Sequence, residues 1–198
     1  MSDRQEPLPI SRNARAGALA LAIGAPLNLI FHMQGPKLEP LSYAAWMALS
    51  FGVLCFLEEM GVRKPLNRAG LVLFFAAFFA DTVAVLSVDP AVVARAGLLY
   101  AFTTLGALIF WSVALMHRTR TARAIGTIGT AVGGVALVLL VAAHLLLGAA
   151  TILGFSELFV ALENPGQSTF TALVVIDSVL LAWCLPTSIL LWTTRLQS

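Results

Sequence analysis

Long apolar stretches separated by short polar breaks run the length of this chain. Six apolar segments can be read, at about 17–35, 44–61, 69–88, 93–116, 124–152 and 169–192. From Ala124 to Phe155 there is no Asp, Glu, Lys or Arg, so His144 is the one ionisable side chain in that run. An uncharged run of about 18 residues or more reads as a membrane-spanning helix, because the hydrocarbon core is roughly 30 Å thick. The Ala124–Phe155 run exceeds that need and must tilt or project beyond the bilayer. The breaks are turn formers or charges: Gly35-Pro36 with Glu39-Pro40, Arg63-Lys64-Pro65, Asp89-Pro90, the Arg118–Arg123 run, and Asn164-Pro165-Gly166. Connections this short predict antiparallel neighbours in one bundle. The expected fold class is all-α, a polytopic membrane protein with six transmembrane helices forming a single domain over residues 1–198.

Composition supports that class. The chain is 59% hydrophobic and 11% charged, with a mean hydropathy of +0.90, whereas soluble domains carry about 25% charge. So little polar surface excludes an ordinary water-soluble fold. A net charge of +2 gives no reason to expect a nucleic-acid partner. Cys55 and Cys184 lie inside apolar segments, far from any CxxC spacing, and read as small buried hydrophobes. No small-residue cleavage site follows the first apolar run, so a removable signal peptide is not expected.

The basic residues set an expected orientation. With a cytoplasmic N-terminus, the inside segments hold Arg4, Arg12, Arg15, Arg63, Lys64, Arg68, Arg118, Arg120, Arg123 and Arg195. The outside segments hold only Lys37 and Arg95. That bias predicts both termini in the cytoplasm and residence in the inner (plasma) membrane. Between helices 5 and 6, Ser156 can cap a short amphipathic helix, SELFVALEN, resting in the outer interface with Phe155, Leu158, Phe159 and Leu162 on one face.

Smaller residues read as packing. Ala14, Ala18 and Ala22, and Gly129 with Gly133, form small-xxx-small ridges that let helices approach closely. Pro26 and Pro186 are expected to kink helices 1 and 6. The FFAAFF run and Trp46, Trp111, Trp183 and Trp192 look like lipid contacts and interfacial anchors. Arg15-Ala-Gly, Arg68-Ala-Gly and Arg123-Ala-Ile-Gly recur at near-equal spacing, as in a repeated two-helix hairpin. The positive-inside rule already places an Arg before each such helix, however, and Arg95-Ala-Gly falls outside the pattern.

The polar residues inside the spans carry the candidate chemistry. At a helix rise of about 1.5 Å per residue, Asn28 and His32, Asp81, His144 and Asp177 all fall in the outer half of the bilayer, with Arg95, Tyr43 and Tyr100 near that level. Ionisable groups at membrane depth usually face protein or a water-filled cavity. Asn28, His32, Asp81, Arg95, Tyr100, His144 and Asp177 therefore form the candidate site for a ligand or proton. A carboxylate and an imidazole can relay a proton, coordinate a divalent metal or recognise a polar solute. The bland alternative is helix-to-helix hydrogen bonding, worth about 1 kcal/mol per contact. His32 and His144 also suggest axial ligands to a haem, and no HxxxH or HxxE pair marks a metal site on one helix. The residues thus leave the cofactor and any metal unknown.

Glu58-Glu59-Met-Gly-Val-Arg63 resembles the EExxxR motif of the CAAX-protease-like intramembrane peptidases. That resemblance implies Glu58 and Glu59 as water-activating bases and Arg63 as a structural partner. The family's FxxxH would fall on Val113 to His117, where the Phe is missing. Its HxxxN or HxxxD would fall on His144 to Gly148, where the Asn or Asp is missing. Charged residues closing the inner end of helix 2 explain the motif better.

The expected function is binding or transport of a small solute, ion or proton through the polar level in the outer half of the membrane. The rivals are an accessory or assembly subunit of a larger membrane complex, and an intramembrane peptidase using Glu58 and Glu59. Beyond the lipid bilayer, the expected partners are a small polar solute or proton and other membrane subunits. An enzymatic role is the less favoured reading. Six helices and this length also resemble the membrane-embedded substrate-binding subunits of vitamin transporters, with no residue motif carrying the likeness.

Overall fold

The computed structural model describes residues 11–34, 39–152 and 165–193. Six helices account for nearly all of them: α1 (Arg12–Gln34), α2 (Glu39–Met60), α3 (Pro65–Leu86), α4 (Pro90–Met116), α5 (Arg120–Ile152) and α6 (Pro165–Thr193). Each includes a stretch long and apolar enough to cross a membrane, as in a multi-pass membrane protein. The expected SELFVALEN helix lies outside the described residues.

The helices begin several residues before their apolar cores, and the local chemistry explains where. Pro65 and Pro90 occupy the first helical turn, where a missing N–H costs nothing. Asp89 precedes Pro90 and accepts from the Ala91 N–H at 2.8 Å, capping α4. At the end of α2, Gly61 takes φ +83°, a left-handed turn that favours glycine. Asn67 donates to the carbonyls of Met60 (3.2 Å) and Gly61 (2.9 Å), and Arg118 donates to that of Met60 at 2.6 Å. These bonds fill acceptors that a helix C-terminus leaves open.

Helix α1 packs on α2 and α6, while α4 packs on α3, α5 and α6. Two glycines show how tight the hairpins are. A Cβ on Gly17 would stand 2.3 Å from Cys55 Cβ, and one on Gly70 would stand 2.3 Å from Trp111 Nε1. In lipid, where apolar tails compete equally for apolar side chains, such close backbone approach is a main source of helix association. Among the described residues, α5 rests mainly on α4 and less on α6, unlike the closely packed α1–α2 and α3–α4 pairs. The core also corrects the reading of the tryptophans. Trp46, Trp111 and Trp183 are buried, and only Trp192 is exposed as an anchor would be. Phe74 is likewise buried, while Phe75 and Phe79 face outward. Phe56, Phe74, Trp111 and Trp183 form an aromatic layer with neighbouring ring centroids 5.4–6.1 Å apart. Burial suits the indoles because each finds an acceptor: Ser112 Oγ for Trp183 at 2.9 Å and the Asn67 carbonyl for Trp111 at 3.4 Å.

Candidate functional site

Towards the other end of α2, six side chains from five helices meet. Asn28 and His32 sit one turn apart on α1 and so share a face. Trp46 comes from α2, Asp81 from α3, Tyr100 from α4 and Asp177 from α6. All six are essentially buried, none more than 3% exposed. The charged and polar groups have therefore been withdrawn from both water and lipid.

His32 is the hub. Its Nε2 lies 3.0 Å from Asp81 Oδ1, and its Nδ1 contacts Asp177 Oδ2. The remaining carboxylate oxygens are also engaged. Trp46 Nε1 donates to Asp81 Oδ2 at 2.6 Å. Asp177 Oδ1 accepts from Asn28 Nδ2 at 3.0 Å and from the Tyr100 hydroxyl. Asn28 Nδ2 also donates to Tyr100 Oη at 3.0 Å. Aromatic rings close around the imidazole, with Phe31 and Tyr100 centroids 5.0 and 5.7 Å away.

Counting hydrogens shows what this arrangement can do. Each His32 contact to a carboxylate holds one hydrogen. Whichever atom carries those two hydrogens, two carboxylates and one imidazole leave one net negative charge. A buried charge without compensation is costly, more so at membrane depth. One oxygen of the same array, Asn28 Oδ1, is buried and has no hydrogen-bond donor among the described residues. Exchanging the amide's O and N would place the oxygen against Asp177 and lose both Nδ2 bonds. The array thus carries one uncompensated negative charge, which one further proton on a carboxylate neutralises.

The structure therefore brings together Asn28, His32, Asp81, Tyr100 and Asp177 from the residues expected on sequence grounds. Two others lie elsewhere. His144 is exposed on α5, and no hydrogen bond joins it to the array. His144 shares a helix face with Gly133, where an added Cβ would meet Ile109 of α4, and with Leu140, but at its own height it is exposed. Arg95 is exposed beside the groove between α3 and α4. Trp46 is the member that sequence reasoning missed; a Trp near a helix end suggests an interfacial anchor, and nothing local reveals that its N–H meets Asp81.

A haem bridge between His32 and His144 does not fit this geometry, since both His32 nitrogens are committed to carboxylates and His144 faces out. Among the described residues, no group of three or more His, Cys, Asp or Glu side chains is placed to hold a metal ion. The peptidase-like set is not assembled either. Glu59 is buried and accepts from Ser11 at 2.8 Å, Glu58 is exposed near Asn13, and His117 is exposed. His144 lies 24 residues along α5 from Arg120, about 36 Å by helix rise, whereas Glu58 is at the Met60 end. No protein-family model matches the chain, nor does any curated protein or solved structure.

Proposed function

We propose that this multi-pass membrane protein binds and releases a proton at the Asp81–His32–Asp177 array, as the ion-handling centre of proton or small-solute transport. One observation carries the reading: two buried carboxylates share a single buried imidazole, which leaves one negative charge without a partner among the described residues. A proton entering it needs little space, which suits a buried site flanked by the rings of Trp46, Tyr100 and Phe31. Because the array ties α1, α2, α3, α4 and α6 together, a change in its charge alters contacts among five helices at once. That is the coupling a transporter needs between ion occupancy and helix arrangement.

The same reading puts the array in the outer half of an inner membrane with both termini cytoplasmic. Its support is the concentration of Arg and Lys at the Met60 end. A reporter active only outside the cytoplasm, fused after Arg120, is expected to give no signal; a strong signal reverses the orientation.

Infrared difference spectroscopy of the purified protein, between acid and alkaline buffer, tests the proton site. A protonated-carboxyl band is expected that disappears in Asp177→Asn or Asp81→Asn and persists in Glu59→Gln. A spectrum with no such band, or one lost only in Glu59→Gln, removes the proposal.

A further inference from the structure

A second feature lies outside the array. Between α3 and α4 runs an open groove of about 510 Å³. Phe79 and Val83 form one wall, Val92 and Leu99 the other, and the buried Ala80 and Ala96 form its floor. The small floor residues make it a channel rather than a seam, and the walls offer only hydrocarbon. Arg95 alone among the lining residues is polar.

Arg95 has no carboxylate partner among the described residues. Asp89, the acid before α4, is exposed and spends its side chain capping the helix at the Ala91 N–H. Arg95 lies five residues into α4 from Pro90, about 7 Å along the axis by helix rise. Its aliphatic stem can therefore lie over the groove while the guanidinium reaches the membrane interface. From Ala76 to Val83 the groove extends roughly 10 Å by the same rise, a length that suits part of an acyl chain.

We propose that the α3–α4 groove is a binding site for an anionic phospholipid, with one acyl chain along the groove and its phosphate paired with Arg95. An apolar channel open to lipid takes up a chain from any membrane lipid. The unpaired guanidinium adds selection for charge, because its planar fork matches phosphate oxygens two at a time. The proposal does not depend on the array's binding a proton.

The test is lipid retention. The full chain is reconstituted in nanodiscs of equal phosphatidylglycerol and phosphatidylcholine, extracted gently, and its retained lipids are weighed by native mass spectrometry. Phosphatidylglycerol is expected to be enriched about fivefold, the factor for one well-placed basic side chain. Arg95→Gln is expected to remove the enrichment, and Arg95→Lys to keep part of it. Leu99→Trp, filling the groove from an exposed position, is expected to lower retention of both lipids. Arg68→Gln, at the Met60 end, is expected to change nothing. Enrichment that survives in Arg95→Gln overturns the site, as does an equal loss in Arg68→Gln. Retention of added oleate without phosphatidylglycerol also overturns it.

Discussion

The bundle is held together differently at its two ends. Towards Met60, Phe56, Phe74, Trp111 and Trp183 fill the interior with rings whose contacts have no charge and tolerate some sliding. Towards His32, five helices are joined by directional bonds around two carboxylates and an imidazole. Both layers exclude lipid and water, yet they respond to different perturbations. The aromatic layer responds to lost volume and is indifferent to pH. The polar array keeps its volume when one atom is exchanged, but loses a hydrogen bond or a charge. The two layers meet where Trp46 packs on Phe74, with ring centroids 5.3 Å apart.

Substitutions at each height can break that contrast. The largest expected effect is in the aromatic layer: Trp111→Ala should cost about 3–5 kcal/mol, read as a lower unfolding midpoint in detergent. If enough folded protein remains, its carboxyl infrared band should match the parent. A shifted band would mean that the layers are not independent.

In the polar array, Trp46→Phe keeps a ring but removes the indole donor to Asp81 Oδ2. A hydrogen bond to a charged group is worth about 1.5–3 kcal/mol, so the loss should be visible in denaturation and should alter the carboxyl band. An unchanged band would show that Asp81 is not part of the titrating unit.

Crowding provides a third comparison. Gly17→Ala drives a methyl group against Cys55 in the α1–α2 hairpin, which should cost about 1–3 kcal/mol. Gly134 has open space around it, so Gly134→Ala on α5 should be neutral or slightly stabilising. Equal losses at the two sites, measured by thermal unfolding, would contradict the loose placement of α5.

The smallest effect is expected at His144. His144→Ala should change stability by less than about 0.5 kcal/mol and leave the carboxyl band intact, since the side chain is exposed and outside the array. A loss of the band would return His144 to the site.

Much of the fold was legible along the chain. Apolar runs interrupted by Pro65, Asp89-Pro90 and the Arg118–Arg123 segment place the helices within a few residues of their observed ends. Within the candidate site, Asn28 and His32 share a face by their four-residue spacing alone, and depth counted from the helix ends brings Asp81, Tyr100 and Asp177 near them. Depth also brought in His144, which the structure leaves exposed and apart from the array. A membrane helix is apolar around its whole circumference, so hydropathy measures how deep a residue sits but not which way it faces. Trp46 shows the same limit from the other side, because an indole suits an interface and a buried carboxylate equally well.

Sequence alone specified the six long apolar helices, the breaks between them and the height along each helix at which its polar residues sit. Those properties follow from local quantities: the transfer cost of charge into hydrocarbon and the geometry of Pro and Gly. Only the tertiary structure decided the rotation of each helix about its axis. That rotation turns Asp81 and Asp177 onto His32, buries Trp46 beside them, and leaves Arg95 outside. It is set by contacts between distant segments, such as Gly17 against Cys55 and Gly70 against Trp111, which no single helix encodes on its own.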